Sequence, residues 1–367
     1  MGRYLPGYKD GGPVRSIINL TDRLGTEYEF RILTTDRDHG DEKPYEGIRV
    51  REWNSVRKAQ VYYVEPGGFD AQTVERLAAQ ADLIYMCGCF NDYARTVLKL
   101  RRDGRIKCKV VIASMGLFSP GAFRIKYPKK KAYMLLLGLL GYFRNVEWSA
   151  TSEEEAADIR REAGKGAICH LAEDLPRLPE PRQHKSLSGS NQLRIVFLSR
   201  ISRKKNLTFA ADILADLQGE IVFDIYGNQE DEAYWQECRT ILQRLPANIH
   251  WKYCGIADSE QVPDIFSQYD VFLFPTLAEN FGHVILEALM GGCIPVISDQ
   301  TPWTMEKLGQ AGQVIPLAER QEYVQKLQQY VCMTQEEKQK CAEKCLAAAQ
   351  NYAPDAAEQA YRNIFQL

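Results

Sequence analysis

The sequence has no long apolar run, no large excess of charge of either sign and no cysteine pattern that would hold a metal. Its 46 lysines and arginines nearly balance 48 aspartates and glutamates, and the net charge of -2 creates no field that would collect nucleic acid. No apolar run reaches the ~20 residues that span a bilayer, and no signal peptide opens the chain. We therefore expect a cytoplasmic protein that does not bind nucleic acid.

The ten cysteines are scattered, without a CxxC pair or a metal-ligand spacing to histidine. We interpret them as reduced thiols of the cytoplasm. A composition of 45% apolar and 26% charged residues is typical of a soluble globular protein. At 367 residues the chain is too long for one ordinary core, so two domains are expected.

Short β-branched runs alternate with helical patterns along the chain, which is typical of parallel, doubly wound sheets. The predicted strands are Phe30 to Thr35, Val61 to Val64, Leu83 to Cys87, Val110 to Ser114, Leu193 to Ser199, Ile221 to Tyr226, Ile249 to Tyr253, Val271 to Phe274 and Ile294 to Ser298. The alternation stops at residues 176–192, which are rich in proline, serine and glycine. The fold class is thus α/β, with two Rossmann-like domains facing across a cleft.

The interruption at residues 176–192 predicts an N-terminal domain over residues 1–182 and a second domain over 183–350. Residues 351–367 contain a helix, Asp355 to Phe365, that is a candidate to cross back to the N-terminal domain. Gly11-Gly12 and the residues before them look like the loop after a first strand, yet no strand precedes them. Either the start of the chain lies beyond that strand or the domain lacks it.

The strongest chemical motif follows the strand Val271 to Phe274, where a loop leads into a helix that begins near Gly282. A helix N-terminus at a strand end favours a phosphate, and glycine lets the phosphate approach the backbone. Glu279 can reach a sugar hydroxyl, and Glu287 can accept hydrogen bonds from a ribose diol. Two glutamates at this spacing alone would be interpreted as a capping residue and a surface residue.

The surrounding residues change that interpretation. Glu279, Phe281, Gly282 and Glu287 match the E-x-F-G-x-x-x-x-E pattern of the family-four glycosyltransferases, which have the GT-B fold, and the match continues to Pro295-Val296-Ile297. The resemblance implies a nucleotide-sugar donor, retention of anomeric configuration and no bound metal or cofactor. It also implies that the donor contacts the residues at the start of the helix, namely Asn280, Phe281, Gly282, His283 and Val284.

Arg200 follows the strand Leu193 to Ser199, and Lys205 comes five residues later, before an apolar helix. Together they can grip two phosphates. The resemblance implies that they stabilise the departing nucleoside diphosphate, with Glu279 as the third catalytic residue, which orients the donor sugar. The alternative is a solvated basic cluster that includes Arg203 and Lys204, which we interpret as surface residues.

Weaker indications come from glycines that follow other strands. Gly227 and Gly255 lie where the family places loops around the nucleotide base, although a glycine after a strand is more often a turn residue. Gly11 and Gly12 resemble the glycine-rich loop that approaches the donor phosphates. Met115, between Ser114 and Gly116, departs from the histidine that many family members carry there.

Two further patterns allow two interpretations each. Asp36-Arg37-Asp38 matches the D-x-D metal triplet of the other large glycosyltransferase fold, but we interpret it as structural. The basic cluster of Lys129, Lys130 and Lys131 precedes the leucine-rich stretch Ala132 to Phe143, which could lie on an anionic membrane. For the leucines we favour a core helix, and for the lysines the two interpretations are balanced.

The sequence therefore predicts a retaining, metal-independent glycosyltransferase of the GT-B fold. The resemblance is densest to bacterial enzymes that build surface polysaccharide such as lipopolysaccharide or capsule, which makes a lipid-linked glycan the expected acceptor and the inner face of the membrane a possible location. A nucleotide-sugar epimerase and a catalytically silent transferase subunit remain alternatives. A dinucleotide-dependent oxidoreductase is disfavoured because no strand is followed by G-x-G-x-x-G.

Overall fold

The computed structural model describes residues 1–7, 12–118, 123, 127–177, 192–258, 261–352 and 354–366. The chain divides into two compact units, one made of Met1–Pro176 with Pro354–Leu367 and the other of Arg177–Ala353. Each unit has its own apolar core. The predicted domain boundary at residues 182 and 183, most of the proline-rich linker and Gly11 lie outside the described residues.

The first unit alternates strands and helices. Its described elements are α1 (Gly12–Leu24), β1 (Phe30–Thr35), β2 (Trp53–Val56), β3 (Ala59–Val64), α2 (Ala71–Ala78), β4 (Leu83–Cys87), α3 (Asp92–Arg102), β5 (Lys109–Ala113), α4 (Tyr127–Leu139), β6 (Glu147–Ala150), α5 (Glu153–Ala163), β7 (Cys169–Leu171) and, from the end of the chain, α12 (Asp355–Phe365). Strands β4, β5, β6 and β7 form a parallel sheet in that order. A second sheet has the order β1-β3-β2, in which β2 is antiparallel.

The described residues before α1 form no strand. Instead, the start of the chain lies against β1, where the Met1 amino group donates to the Leu33 carbonyl at 3.0 Å and the Thr35 amide donates to the Gly2 carbonyl at 3.2 Å. Tyr4 follows and is fully buried. The N-terminal residues therefore contribute backbone pairing and core packing without forming a regular strand.

Helix α12 packs into the first unit although it follows the second along the chain. Tyr361 and Ile364 are buried in the same core as Tyr4. Arg362 forms an ion pair with Glu27 at 2.8 Å. The C-terminal helix that the sequence singled out is thus a part of the N-terminal unit's core.

The second unit is a six-stranded parallel sheet with helices between the strands. Its described elements are β8 (Leu193–Leu198), a 3₁₀ turn (Arg203–Lys205), α6 (Leu207–Leu214), β9 (Ile221–Tyr226), α7 (Glu232–Leu242), β10 (Ile249–Gly255), α8 (Val262–Phe266), β11 (Val271–Phe274), α9 (His283–Met290), β12 (Ile294–Ser298), β13 (Gln313–Ile315), α10 (Arg320–Val331) and α11 (Gln335–Asn351). The strand order is β10-β9-β8-β11-β12-β13. In this doubly wound order, strands are added on one side of β8 and then, from β11 onward, on its other side. Ligands bind at the point between β8 and β11 where the strand order reverses.

The predicted α/β class and the predicted parallel strands are confirmed, with ends that shift by one or two residues. Sequence patterns missed β2, β6, β7 and β13. Each of these strands is only three or four residues long, too short for a period-two pattern to stand out. Helix α1 begins at Gly12.

Candidate functional site

The candidate site lies at the reversal point of the second unit's sheet, where β8 and β11 are neighbours. Arg200 and Lys205 follow β8, whereas Glu279 and Gly282 follow β11. Because the carboxyl ends of parallel strands meet at one edge, the fold brings these two segments together. The sequence placed the four residues after two strands, but it did not reveal that the strands are adjacent.

Lys205 and Glu279 form an ion pair at this edge through the Lys205 ammonium and the Glu279 Oε1. Their side chains are only 10% and 12% exposed, and the ammonium also lies 5.2 Å from the ring centre of Phe274. A buried charge is stable only when paired. Glu279 therefore holds the Lys205 side chain in place at the strand edge.

The environment of Lys205 disfavours its charge. Burial lowers the pKa of the ammonium well below that of an ordinary lysine, and the positive charges of Lys204 and Arg200 act in the same direction. The Glu230 carboxylate acts in the opposite direction, because a nearby opposite charge favours the charged form. An incoming anion would relieve the repulsion between these cations, which is the electrostatic character of a phosphate site.

Backbone hydrogen bonds fix the two segments that carry the pair. The Lys204 carbonyl accepts from the Leu277 amide at 2.8 Å and from the Thr276 hydroxyl at 3.1 Å. On the other side, the Asn206 side-chain amide donates to the Pro275 carbonyl at 3.0 Å. The Glu279 amide donates to the loop after β12. The ion pair is thus set by the loops and not only by its own attraction.

Gly282 begins helix α9 in a conformation that other residues rarely adopt. Its φ is 77°, and a Cβ there would lie 2.9 Å from the Ile285 side chain. The first amides of a helix have no acceptor within the helix and favour an anion. The glycine therefore permits a turn that presents the backbone of His283 and Val284. Asn280, which precedes the turn, is half-buried.

A buried aromatic cluster supports this turn from behind. Phe281 is 5% exposed, and its carbonyl accepts from the Trp303 indole at 2.6 Å. Trp303 stacks on Tyr352 at 5.4 Å and is 2% exposed. These contacts make Phe281 and Trp303 supports of the turn, so that the donor contact implied for Phe281 would pass through its backbone.

Glu287 lies further along α9 and is 3% exposed. Its side chain is therefore largely covered by neighbouring residues. The interpretation of Glu287 as a surface residue, which the spacing alone would favour, is wrong.

Arg200 is exposed and forms an ion pair with Glu230 at 2.6 Å. Glu230 belongs to the segment after β9, which pairs with the segment after β8 through a bridge between Ile201 and Gln229. Gly227 allows this contact, because a Cβ there would lie 1.7 Å from the Ser199 carbonyl oxygen. Arg200 and Lys205 therefore each have a carboxylate partner.

Gly255 ends β10, and Gly12 begins α1 in the other unit. The Gly255 carbonyl accepts from the Gly227 amide at 2.8 Å, so the two glycines predicted around the base are in direct contact. Gly255 has a φ of 84° with open space around its α-carbon. Gly12 is exposed, with equal space around it.

Residues 180–345 match the family model described as Glycosyl transferases group 1. We refer to residues 180–345 as the group 1 domain. The match includes every predicted site residue from Arg200 to Glu287, and it confirms the resemblance inferred from the motif. The family model matches only residues of the second unit. The similarity to the family therefore comes from the unit that carries the Lys205–Glu279 pair.

Two curated relatives match parts of the chain. The GtfA subunit of UDP-N-acetylglucosamine–peptide N-acetylglucosaminyltransferase from Streptococcus pneumoniae is 28% identical over 137 residues, which are 36% of this chain and 26% of the relative. O-antigen chain mannosyltransferase B from Escherichia coli is 29% identical over 94 residues, which are 26% of this chain and 23% of the relative. The chain thus matches about a quarter of the length of these relatives.

The similarity in fold extends beyond the group 1 domain. The crystal structure of Anabaena Alr3699/HepE in complex with UDP and glucose matches with a TM-score of 0.66 and 16% identity, and the match covers 97% of this chain and 96% of that chain. At 16% identity, this similarity shows a shared fold alone. Together with the group 1 domain, it identifies the fold as GT-B.

Some residues of the site escaped prediction from the sequence. Glu230, which pairs with Arg200, belongs to the loop after β9, and only its position after a strand next to β8 could have indicated it. Phe274, which contacts the Lys205 ammonium, was counted as a strand residue. Asn206 and Thr276 join the two loops of the group 1 domain, and no motif marks them.

The Asp36-Arg37-Asp38 triplet lies in the first unit, outside the group 1 domain. Asp36 is 2% exposed and accepts from the Arg37 guanidinium at 2.8 Å. Asp38 is 4% exposed and accepts from the His39 amide at 2.7 Å. The described residues contain no group of three His, Cys, Asp or Glu side chains that could hold a metal ion. Both carboxylates thus accept hydrogen bonds from the residue that follows them in the chain.

Helix α4 differs from the core helix that the leucines predicted. Met134 and Leu137 are buried, but four leucines are exposed by half or more of their area, namely Leu135, Leu136, Leu139 and Leu140. The core interpretation is therefore wrong for these four, because a run without polar residues does not reveal which face is buried. Among the described helices, none has both the length and the apolarity to cross a bilayer.

The three lysines that precede those leucines differ from one another. Lys129 is exposed, whereas Lys131 forms an ion pair with Glu162 at 2.7 Å. Lys130 lies over the rings of Phe90 and Phe123 at 5.5 and 5.9 Å. At 100° per residue, Lys129 and Lys131 flank the exposed leucine face on opposite sides.

Proposed function

We propose that this protein transfers a sugar from a nucleotide-sugar donor to an acceptor, with retention of anomeric configuration. The second unit would bind the donor and the first unit the acceptor. The observation that carries the proposal is the buried Lys205–Glu279 pair at the reversal point of a doubly wound sheet, within a group 1 domain. The two curated relatives are named as an N-acetylglucosaminyltransferase subunit and a mannosyltransferase.

Charge development explains why two cations are needed. As the bond from the sugar to the diphosphate breaks, negative charge accumulates on the leaving oxygen, and preorganised positive charge lowers the barrier. Lys205 is held at the strand edge, and exposed Arg200 can turn from Glu230 toward a phosphate. Glu279 would then accept a hydrogen bond from a sugar hydroxyl while it keeps Lys205 in position.

The remaining donor contacts follow from the same edge of the sheet. The diphosphate would lie on the amides of His283 and Val284 beyond Gly282, where a helix N-terminus favours anions. Glu287 would hold the ribose diol, and the contacting pair Gly227 and Gly255 would border the base.

Metal independence is a part of the proposal, because fixed cations would supply the charge stabilisation that a divalent ion supplies elsewhere. Transfer should continue in excess EDTA, and the proton spectrum of the product should show the anomeric configuration of the donor. Loss of activity in EDTA with recovery on addition of Mg²⁺ would contradict metal independence. A product of inverted anomeric configuration would contradict retention.

We propose a lipid-linked glycan of a bacterial surface polysaccharide as the acceptor, with the first unit lying on the cytoplasmic face of the membrane. The exposed leucine face of α4, with Leu139 at 79% exposure, offers apolar area, and the flanking lysines suit anionic headgroups. With 13 residues, α4 is too short to span the bilayer.

Vesicle flotation tests the membrane contact. The wild-type protein should float with vesicles that contain anionic phosphatidylglycerol and less with pure phosphatidylcholine. Alanine at Lys129, Lys130 and Lys131 should weaken the anionic preference, and Leu136→Ser with Leu139→Ser should weaken binding to both. Equal partitioning of all variants would refute the membrane contact and leave the sugar transfer untouched.

Thermal-shift screening against a panel of nucleotide sugars tests the central activity. A donor that binds only the folded protein stabilises it by mass action, by about 2.7 kcal/mol at a hundred times its Kd. The best donor should then yield nucleoside diphosphate and a glycosylated acceptor. Isomerisation of the donor alone would identify an epimerase instead, and the absence of any donor effect would indicate a silent subunit.

A further inference from the structure

A buried carboxylate in the first unit lies outside every role assigned so far. Glu155 is in the first turn of α5 and is 7% exposed, although its neighbours Glu153 and Glu154 are exposed. Burial of a carboxylate costs free energy unless hydrogen bonds replace its water. The Glu155 carboxylate must therefore accept hydrogen bonds from protein groups that compensate for its burial.

Glu155 accepts hydrogen bonds from two neighbouring strand ends. Its Oε1 accepts from the Ser114 hydroxyl and from the Gly116 amide at 2.5 Å. Its Oε2 accepts from the Thr151 amide at 2.7 Å and from the Thr151 hydroxyl at 2.8 Å. One side chain thus joins the segment after β5 to the segment after β6.

The segment after β5 needs such an anchor because of its conformation. Met115 has a φ of 52° and Gly116 a φ of 73°, and a residue other than glycine rarely adopts the left-handed region. Unfavourable backbone conformations of this kind persist where the surroundings hold them, and they concentrate at functional sites. Here Glu155 binds the residues on both sides of Met115.

A purely helical role does not account for Glu155. The cap of α5 is Ser152, whose hydroxyl accepts from the Glu155 amide at 3.2 Å. Acidic side chains near a helix N-terminus are favourable on the surface, and Glu153 and Glu154 already supply them. The Oε2 bonds hold Thr151, just before the cap, whereas the Oε1 bonds reach the turn after β5, which a helical role does not require.

We propose that Glu155 is a positioning residue that fixes the turn Ser114-Met115-Gly116 as a contact surface for the acceptor in the first unit. The inference rests on the proposed function. Ligands of parallel α/β sheets bind beyond the carboxyl ends of the strands, and this turn lies at the carboxyl end of β5. Met115 is half-buried there and presents an apolar side chain with adjacent backbone groups to a hydroxyl-bearing amphiphile.

Glu155→Gln tests this role, with Glu153→Gln as a matched control that removes the same charge from the same helical turn. The amide keeps one oxygen acceptor but places an NH₂ group against two donors, so the turn should loosen. With the donor selected by the thermal-shift panel and octyl β-glucoside as the acceptor, Glu155→Gln should lower kcat/KM for the acceptor roughly tenfold to a hundredfold. The Kd of the donor should stay unchanged.

Hydrogen exchange separates positioning from general stability. Glu155→Gln should accelerate exchange of the amides of Met115, Gly116 and Leu117 while the strand amides of β5 stay protected, and Glu155→Asp should restore part of the acceptor kinetics. A lower melting temperature with acceptor kinetics equal to those of Glu153→Gln would overturn the inference. A wild-type protein that transfers no sugar from any donor would refute the proposed function and this role with it.

Discussion

At the scale of single residues, the site combines cations with carboxylates that hold them until a ligand arrives. Lys205 is paired with Glu279 and Arg200 with Glu230. The first pair is almost buried and the second is exposed, so the first can position a side chain with more precision than the second. Lys205 is therefore the residue on which binding of the diphosphate should depend most.

The lowered pKa of Lys205 predicts opposite effects of pH on stability and on binding. Between that pKa and the ordinary lysine value of about 10.4, the unfolded chain binds more protons than the folded chain, so this group makes stability rise with pH. Binding of a nucleoside diphosphate should weaken over the same range, because the ammonium loses its charge. Titrations from about pH 6 to about pH 10 should show this decline in the wild type. The same alkaline decline in Lys205→Met would contradict it.

Gly282 provides a test of the turn before α9. Alanine there would adopt a left-handed φ of 77° and also contact Ile285 at 2.9 Å, so we expect a loss of about 2 kcal/mol in the free energy of unfolding. Gly255→Ala is the matched control, since it has a similar φ but open space and should lose only about 1 kcal/mol. Urea unfolding measures both, and equal losses would contradict the crowding at Gly282.

The places of four predicted site residues after two strands agree with the structure, while their roles in donor binding stay predictions. Arg200, Lys205, Glu279 and Gly282 were each placed on the segments that the fold brings together. The contacts between them depend on strand order, which the sequence does not encode locally. For this reason the pairing of Arg200 with Glu230 could not be predicted.

At the scale of elements, long parallel strands were predictable and short or unpatterned elements were not. The strand Val271–Phe274 is buried throughout, so its continuous apolar run marked it clearly. The buried face of helix α4 was not predictable because its leucines have no polar interruption. Only packing decides that Leu137 is buried and Leu139 is exposed. Apolar content alone therefore cannot assign a helix face.

Helix α4 offers a direct measurement of that face. Leu137→Ser should lower the free energy of unfolding by about 3 kcal/mol, because it leaves a cavity and a buried hydroxyl. Leu139→Ser should change it by less than about 0.5 kcal/mol, because an exposed side chain loses little on truncation. Equal destabilisation by the two variants in urea titrations would mean that the face around Leu139 is covered.

At the scale of the whole molecule, the chain consists of two α/β units whose cores are separate. The C-terminal helix α12 contributes Tyr361 and Ile364 to the first unit, so that unit is complete only when both ends of the chain are present. The strand order of the second unit could be inferred only from the structure, and it is this order that makes a site of two separate motifs.

Isothermal titration of the second unit's site, in the full chain, tests the central claim most directly. The nucleoside diphosphate that binds best among ADP, GDP and UDP should bind Lys205→Met roughly tenfold to a hundredfold more weakly, as expected for loss of a hydrogen bond to a charged group. Arg203→Met, which removes a nearby exposed cation that is paired with Glu237, should bind as the wild type does. Wild-type affinity in Lys205→Met would contradict the assignment of the Lys205–Glu279 pair as the diphosphate site.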